Sequence, residues 1–184
     1  MNAIVDEVHI RPLSAEDSLV ELTALLHRAY ARLAAMGLNF TATDQSVELT
    51  ARRILDGHCI VAVQGGRAGG RIIGTVSVCR PCEPSREAWT EEPAAYYDPA
   101  TAHFQQLAVD PSVQGQRLGD RLVAACEAWA LAHGYRRMVL DTAAPALHLR
   151  QRYERLGYAA IDEVQRAGKT YRSVVMAKPL EGSA

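Results

Sequence analysis

The stretch that decides the fold is residues 105–122, which read QQLAVDPSVQGQRLGDRL. Its first residues have the apolar character of a short strand, and that strand stops at Asp110-Pro111 because proline lacks the N–H that a sheet ladder needs. From Leu118 onward, apolar residues recur with the 3.6-residue period of an amphipathic helix, which persists to about His133. The sequence therefore predicts a strand, a glycine-bearing turn and a helix, in that order.

The junction between turn and helix has the properties of an anion-binding site. The first backbone N–H groups of a helix have no partner within it, and the helix dipole places roughly half a positive elementary charge at that end. Such an end suits a phosphate group. The sequence predicts a phosphate site of this kind between Gly115 and Gly119.

This stretch resembles the acetyl-CoA signature of the GCN5-related N-acetyltransferase (GNAT) superfamily, in which [Gln/Arg]-x-x-Gly-x-[Gly/Ala] follows a strand ending in Val-x-Pro. Residues 114–119 read QGQRLG, so the first and last positions match, and Arg117 stands where the middle glycine is usual. If Arg117 needs a positive φ, the conformation costs roughly 1–3 kcal/mol. If it already lies in the first helical turn, φ is negative and arginine is acceptable. The helix that follows favours the second alternative.

The resemblance implies acetyl-CoA as the acetyl donor and CoA as a product. It implies that main-chain groups of the strand pair with the pantetheine arm and that the turn amides take the pyrophosphate. Arg117 either adds a charged contact to phosphate oxygens or is a solvated surface charge. The predicted cofactor-binding residues are Leu107, Ala108, Val109, Gln114, Gly115, Gln116, Arg117, Leu118, Gly119 and Asp120.

A second element, residues 153–158, reads YERLGY and resembles the Tyr-x-x-x-Gly-[Phe/Tyr] element of the same family. By that resemblance, Tyr153 lies near the thioester sulfur and is a predicted catalytic residue. A phenol with a reference pKa near 10 can protonate a departing thiolate, whose pKa is about 8.5 by analogy with cysteine. The alternative is a tyrosine that only packs on the sheet. The family often has asparagine seven residues earlier, where this chain has Ala146, so that side-chain bond to the cofactor is absent.

His103 is the predicted general base. Several family members have Glu or His six residues before the valine that corresponds to Val109 here. Alternation along a strand predicts that His103, Gln105 and Leu107 share one face. The reference pKa of histidine, near 6.5, suits proton abstraction around neutrality. A structural histidine and a chain of water molecules are the alternatives.

The acceptor pocket is predicted to be walled by segments that the cofactor does not fix, namely the region after the first helix and the 80–99 loop. A carboxylate at a strand end near an α/β crevice can also reach a ligand, although capping of the next turn is an equal alternative. The predicted substrate-binding residues are Tyr30, Asn39, Phe40, Tyr97 and Asp141.

Patterning along the rest of the chain predicts elements in the order β-α-α-β-β-β-α-β-α-β-β. A capping signal at Ser14 opens the first helix, and Asp44 caps a second helix over residues 45–55. A glycine-rich hairpin tip follows at residues 65–70, and it is a poor phosphate loop because it lacks Gly-Lys-Ser/Thr. The fold class is α/β, a single GNAT domain over residues 1–184 with a core of about 8–180 and a mixed sheet of about six to seven strands.

Composition narrows the class of protein further. The chain has 184 residues, 48% of them hydrophobic, which suits one globular domain. Lys and Arg total 20 against 21 Asp and Glu, a balance that argues against a nucleic-acid surface. No signal peptide or membrane span is visible, which predicts a soluble cytoplasmic protein. Cys79 and Cys82 form a Cys-x-x-Cys without a second ligand pair, so reduced thiols without a metal are expected.

Taken together, the resemblance implies transfer of acetyl from acetyl-CoA to a primary amine by direct attack on the thioester. The acceptor, a small molecule or a peptide, is left open, and so is a homodimer. Two alternatives remain: a non-catalytic acyl-CoA-binding module of the same fold, and an acetyltransferase of protein N-termini or lysines. An open acidic groove would favour a protein acceptor, and a closed pocket a small molecule.

Overall fold

The protein is seen in a computed structural model, which describes residues 8–55, 57–65, 70–82, 93–113 and 115–181. The strands are β1 (Val8–Pro12), β2 (Gly57–Gln64), β3 (Arg71–Cys79), β4 (Thr101–Val109), β5 (Arg137–Ala143), β6 (Ala159–Val164) and β7 (Ser173–Pro179). The helices are α1 (Leu19–Ala35), α2 (Val47–Leu55), α3 (Leu118–Ala132) and α4 (Leu147–Arg155).

The seven strands form one mixed sheet in the order β1-β2-β3-β4-β5-β7-β6. All neighbouring pairs are antiparallel except β4 with β5. The predicted fold class, the order of elements and the antiparallel β2–β3 hairpin are confirmed. The predicted tip of that hairpin lies largely outside the described residues.

The single parallel pair opens into a fork. β4 and β5 are paired only from Thr101–Arg137 to His103–Val139, although both strands continue beyond that point. Residues 104–108 of β4 therefore face a gap instead of a neighbouring strand on that side. Strands that separate in this way create a cleft in the middle of the sheet, where a ligand can pair with the backbone.

A bulge in β4 changes which residues face each side of the sheet. Gln106 has φ +57, and the β3–β4 register shifts at the same place. Leu107 consequently packs with Phe104 in the core under α3, whereas Ala108 packs on Leu26 of α1. The prediction that Leu107 shares a face with His103 is wrong, because the bulge interrupts the alternation.

Both early helices begin later than predicted. α1 is capped by Ser18, whose Oγ accepts the Glu21 N–H at 3.2 Å, while Ser14 forms a separate turn with Asp17. α2 begins after Ser46, whose Oγ accepts the Leu49 N–H at 3.1 Å. Ser18 and Ser46, instead of Ser14 and Asp44, cap the two helices, because each directly precedes the first regular helical turn.

The helices cover both faces of the sheet. α3 and α4 bury the larger core, which includes Phe104, Leu122 and Met138, and α1 packs Leu22 and Leu25 on the other face. Each fully buried side chain of this size contributes about 1.5–3 kcal/mol. The forked strands are thus held between two cores. In the described part of the chain, no helix is both long and apolar enough to cross a bilayer.

Candidate active site

The fork opens into a cleft with two halves. One cavity of about 600 Å³ runs along β4 toward the start of α3, and another of about 560 Å³ lies beside His103 and the β6–β7 segment. We call them the donor half and the acceptor half. The residues that line both are Tyr30, Phe40, Phe104, Gln105, Gln106 and Asp141.

The end of β4 is fixed by Asp110. Its Oδ1 accepts the Ser112 N–H at 3.0 Å and the Ser112 hydroxyl at 2.6 Å, which turns the chain out of the sheet. Its Oδ2 accepts from Arg28 at 3.0 Å and Arg71 at 2.8 Å. Burial opposes ionisation, but Ser112 and the two guanidinium groups together hold the pKa of Asp110 well below its usual value. This buried carboxylate therefore anchors the turn that precedes α3.

Arg117 adopts the conformation that the sequence did not favour. It has φ 56 and ψ 17 and directly precedes α3 as its N-cap residue, so it lies outside the first helical turn. The expected negative φ is wrong, because the turn is closed by two left-handed residues, Gly115 with φ +89 and Arg117. The Arg117 side chain is 84% exposed and reaches Asp120 at only 3.5 Å.

Gly119 leaves room for a side chain of the neighbouring helix. A Cβ at Gly119 would lie 2.1 Å from Nη2 of Arg152, which extends from α4 and donates to Asp120 at 2.8 Å. The glycine thus permits an ion pair between the first turn of α3 and α4. An acidic residue in this first turn also complements the helix dipole.

The donor half brings most of the predicted cofactor residues together. Gln116 is not among its lining residues, and Gln114 lies outside the described residues. The cations along this half are Arg28, Arg32, Arg117, Arg152 and Arg155, and arginines over a helix N-terminus suit a polyphosphate. This lining fits acetyl-CoA. The predicted residues that line it are Leu107, Ala108, Val109, Gly115, Arg117, Leu118, Gly119 and Asp120.

Tyr153 lies on α4 in the donor half, next to Phe104 at a ring-centroid distance of 6.0 Å. Tyr153 is 7% exposed, and this burial raises the pKa of its phenol well above the ordinary value. The hydroxyl therefore keeps its proton at neutral pH and can act as a proton donor. Ala146, which precedes α4 as its N-cap residue, supplies no side-chain bond.

His103 lies at the fork, in the acceptor half, and its ring stacks on Tyr96 at 4.2 Å. Burial lowers the pKa of His103 to about 4, with Asp141 acting in the opposite direction and Arg166 in the same one. The imidazole is therefore neutral at physiological pH. Its Nδ1 is buried without a hydrogen-bond partner in the described ranges.

The predicted acceptor residues are placed in three ways. Tyr30, Phe40 and Asp141 line both halves of the cleft. Asn39 lines neither cavity and instead bonds to Gly168 and Thr170 of the β6–β7 segment. Tyr97 also lines neither cavity.

Of the adjacent tyrosines Tyr96 and Tyr97, it is Tyr96 that lines the acceptor half, and its hydroxyl donates to Asp141 at 2.8 Å. The two tyrosines are adjacent in a short 3₁₀ turn, Ala94–Tyr97, whose orientation no periodic pattern discloses. Four cations of the acceptor half were also missed, because they come from three segments that are far apart in the chain. They are Arg53, Arg80, Arg166 and Lys169.

Metal-ligand types are not gathered anywhere in the described ranges, where no three His, Cys, Asp or Glu side chains form a cluster. Cys79 and Cys82 form no disulfide and line the acceptor half. The described residues of the cleft thus include a buried phenol, a neutral imidazole, a helix N-terminus and several cations.

The sequence profile of the acetyltransferase (GNAT) family matches residues 23–158, which is most of the chain and includes the fork, α3 and Tyr153. The chain belongs to the GNAT family. It is an acetyl-CoA-dependent N-acetyltransferase, and its acceptor is an amine. The non-catalytic alternative is thereby set aside.

Relatives of this GNAT enzyme agree in fold and reaction. A curated relative, S-(2-succino)cysteine N-acetyltransferase of Bacillus subtilis (strain 168), is 29% identical over 91% of this chain and 94% of its own. The ribosomal-protein-S18-alanine N-acetyltransferase of Escherichia coli superimposes with a TM-score of 0.68 at 17% identity, covering 97% of both chains. A GNAT acetyltransferase from Elizabethkingia anophelis, with acetyl-CoA bound, gives 0.62 at 17% identity over 94% of this chain and 98% of its own.

Proposed function

We propose that this GNAT enzyme acetylates the amino group of a small-molecule amino acid and not that of a protein. The observation that carries the proposal is the shape and charge of the acceptor half. Its volume of about 560 Å³ lies within the usual range for small-molecule sites, about 300–1,000 Å³. Its lining contains four cations and is not an acidic groove.

Hydrogen bonds join two segments into one wall of this cavity. Asn39 donates to the Gly168 carbonyl at 2.8 Å and accepts the Thr170 N–H at 2.9 Å, and the Thr170 hydroxyl donates to the Gly37 carbonyl at 2.9 Å. These bonds hold the β6–β7 segment against the loop after α1. A wall of this kind limits access by a folded polypeptide but leaves space for a small amine.

The curated Bacillus relative supports the same class of acceptor, since S-(2-succino)cysteine is a substituted amino acid with a free α-amino group. That relative aligns over 91% of this chain. We therefore extend the class of its acceptor, a small S-substituted amino acid, to this enzyme.

Residues of both halves have proposed chemical roles. Acetyl-CoA supplies the acetyl group as a thioester, and the acetyl carbon passes to the amine nitrogen as the carbon–sulfur bond breaks. The Tyr153 hydroxyl holds the proton needed at the sulfur, and neutral His103 accepts a proton on the amine side. Main-chain groups of Leu107 and the first amides of α3 are proposed to orient the donor.

The test compares acceptors at saturating acetyl-CoA. The purified protein is incubated with S-(2-succino)cysteine, S-methylcysteine, a lysine-containing peptide and a peptide with a free N-terminus. Free thiol is measured, and the acetylated product is identified by mass spectrometry. We expect turnover with the small amino acids at a kcat/KM well above that with either peptide. A higher kcat/KM with a peptide would overturn the proposal.

Two further properties stay predictions. We expect a cytoplasmic location, which fractionation of the source cells would check. A homodimer is an expectation that light scattering of the purified protein would decide.

A further inference from the structure

The acceptor half carries an unusual excess of positive charge. Among its described lining residues, Arg53, Arg80, Arg166 and Lys169 face a single carboxylate, Asp141. Such an excess in a partly buried cleft is unfavourable without an anion, because the like charges repel and are partly removed from water.

Arg53 and Lys169 are bonded only to neutral groups in the described part of the chain. Arg53, half-buried on α2, donates to the side-chain oxygens of Gln45, at 2.8 Å, and Gln105. Lys169 donates to the Asn39 carbonyl at 2.8 Å and the Thr41 hydroxyl at 3.0 Å. Neither cation has a carboxylate hydrogen-bond partner there, although Asp141 acts on both charges from a distance and Asp44 on that of Lys169.

The electrostatic effects agree with this geometry. Burial lowers the pKa of the Arg53 guanidinium, and the neighbouring Arg166 acts in the same direction. Burial also lowers the pKa of Lys169, with Arg53 and Arg166 adding to the effect. The three cations are thus close enough to repel each other and would be stabilised by one shared anionic ligand.

Asp141 is the carboxylate shared by the two halves of the cleft. It lies on β5, two residues past the last β4–β5 pair, and lines both halves of the cleft. Its Oδ1 accepts from the Tyr96 hydroxyl at 2.8 Å and from Arg166 at 3.0 Å. A carboxylate at this junction suits the amino group that must meet the acetyl donor.

We propose that the acceptor is a primary amine carrying at least two carboxylates, which Arg53, Arg166 and Lys169 bind while its amino group lies toward Asp141. The proposal rests on the proposed small-molecule function and names the class of acceptor for that site. Arginine suits this role because its guanidinium can bind a carboxylate through two parallel hydrogen bonds. Lys169 adds a point charge from the β6–β7 segment.

The first experiment measures kcat/KM for α-amino acids with one, two and three carboxylates, namely S-methylcysteine, S-carboxymethylcysteine and γ-carboxyglutamate, and for the cationic amine spermidine. We expect kcat/KM to rise with each added carboxylate and to be lowest for spermidine. Lys169→Gln should lower the value for γ-carboxyglutamate roughly 10- to 100-fold and that for S-methylcysteine less than threefold.

Arg172→Gln is the matched control. Arg172 lies in the same β6–β7 segment but outside the cavity lining, in an exposed pair with Glu163 at 3.2 Å. It should leave all four values within twofold. A wild-type preference for spermidine or S-methylcysteine would overturn the proposal, and so would an equal loss with every acceptor in Lys169→Gln. If only peptides are acetylated, the proposed function fails instead.

A second experiment needs no turnover. Tricarballylate has three carboxylates and no amine, so it should compete with the acceptor and raise the melting temperature of the wild-type protein. In Lys169→Gln the same concentration should give less than half of that shift, whereas Arg172→Gln should retain it. An equal shift in wild type and Lys169→Gln would contradict carboxylate binding by Lys169.

Discussion

The two halves of the cleft are built from different parts of the chain. The donor half is formed largely by one continuous stretch, from β4 through the turn to the first residues of α3. The acceptor half collects side chains from α2, the end of β3, the 3₁₀ turn, β5 and the β6–β7 segment. Both halves carry several cations, but only the donor half also offers the main-chain groups of a forked strand and a helix N-terminus.

This difference separates the residues expected to bind acetyl-CoA from those expected to select the acceptor. A forked strand and a helix N-terminus bind their ligand through main-chain groups, which most substitutions leave in place. Cations on separate segments can be exchanged one by one without disturbing the sheet. Substitutions in the donor half should therefore affect all acceptors alike, and those of the acceptor-half cations should distinguish among them.

The largest expected effect is that of Tyr153→Phe. Loss of the phenol proton should lower kcat by at least about 100-fold for every acceptor, with little change in acetyl-CoA affinity. Stopped-flow thiol release and calorimetric titration of acetyl-CoA measure the two quantities. Tyr158→Phe is the control, since that buried phenol donates to Glu127 at 2.8 Å, away from the cleft. Unchanged turnover in Tyr153→Phe would remove this residue from the mechanism.

The next effect concerns His103 and pH. Because the pKa of His103 is about 4, the neutral ring that can accept a proton is present above that pH and is lost as pH falls through it. Between pH 5 and 8, log kcat/KM should therefore rise only with deprotonation of the amine, without an inflection near 6.5.

Substitution of the same residue tests its role. His103→Asn should lower kcat/KM about tenfold at all pH values in this range. The groups that surround the ring, Tyr96, Asp141 and Arg166, stay unchanged in this variant. An inflection near 6.5 that is present in the wild type and absent in the variant would show that the ring titrates as an exposed histidine.

A smaller effect is expected from Gly119→Ala. The added Cβ would occupy the position of the Arg152 guanidinium and break its bond to Asp120. The KM for acetyl-CoA should rise about fivefold, equally for every acceptor, as expected for a lost exposed ion pair and a shifted cation. In an Arg152→Ala background the same substitution should have no further effect. An acceptor-dependent change would contradict the division between the two halves.

The smallest effect is predicted for Arg117. Arg117→Gly relieves a left-handed conformation and should raise the free energy of unfolding by about 0.5–1 kcal/mol in urea titrations. Arg117→Ala keeps the strain and is the control, with no gain expected. If the side chain contacts a phosphate, both variants raise the KM for acetyl-CoA to the same extent. A KM that differs between them would assign the effect to the backbone.

The sequence predicted the donor half well because its determinants are neighbours in the chain. The predicted stop of the strand at Asp110-Pro111 and the predicted start of the helix at Leu118 agree with the observed end of β4 and start of α3. The wrong predictions concern residues whose backbone conformation depends on tertiary contacts. Gln106 takes a positive φ although it is not a glycine, so the sequence gives no sign of the bulge. The Gln45 side chain, between α1 and α2, donates a hydrogen bond to the Gln106 side chain at 2.8 Å.

The acceptor half was predicted only in part. Tyr30, Phe40 and Asp141 lie in segments that the fold class places near the cleft. Arg53 on a helix and Lys169 in a turn both resemble ordinary surface charges in the sequence. Since 115 residues lie between them, no local pattern connects the two. Their proximity arises only when the sheet brings α2 and the β6–β7 segment to the same side, which no local pattern contains.

The bonds of Asn39 have a consequence for how specificity can change in related enzymes. Since its amide group bonds both Gly168 and Thr170, the loop after α1 and the β6–β7 segment are complementary halves of one module. Grafting one of them alone from another enzyme would leave polar groups without partners. Exchanged together, they would carry their acceptor preference into a new host while the donor site stays the same. We therefore expect acceptor preference to be transferred when the loop after α1 and the β6–β7 segment are exchanged together, and not when either is exchanged alone.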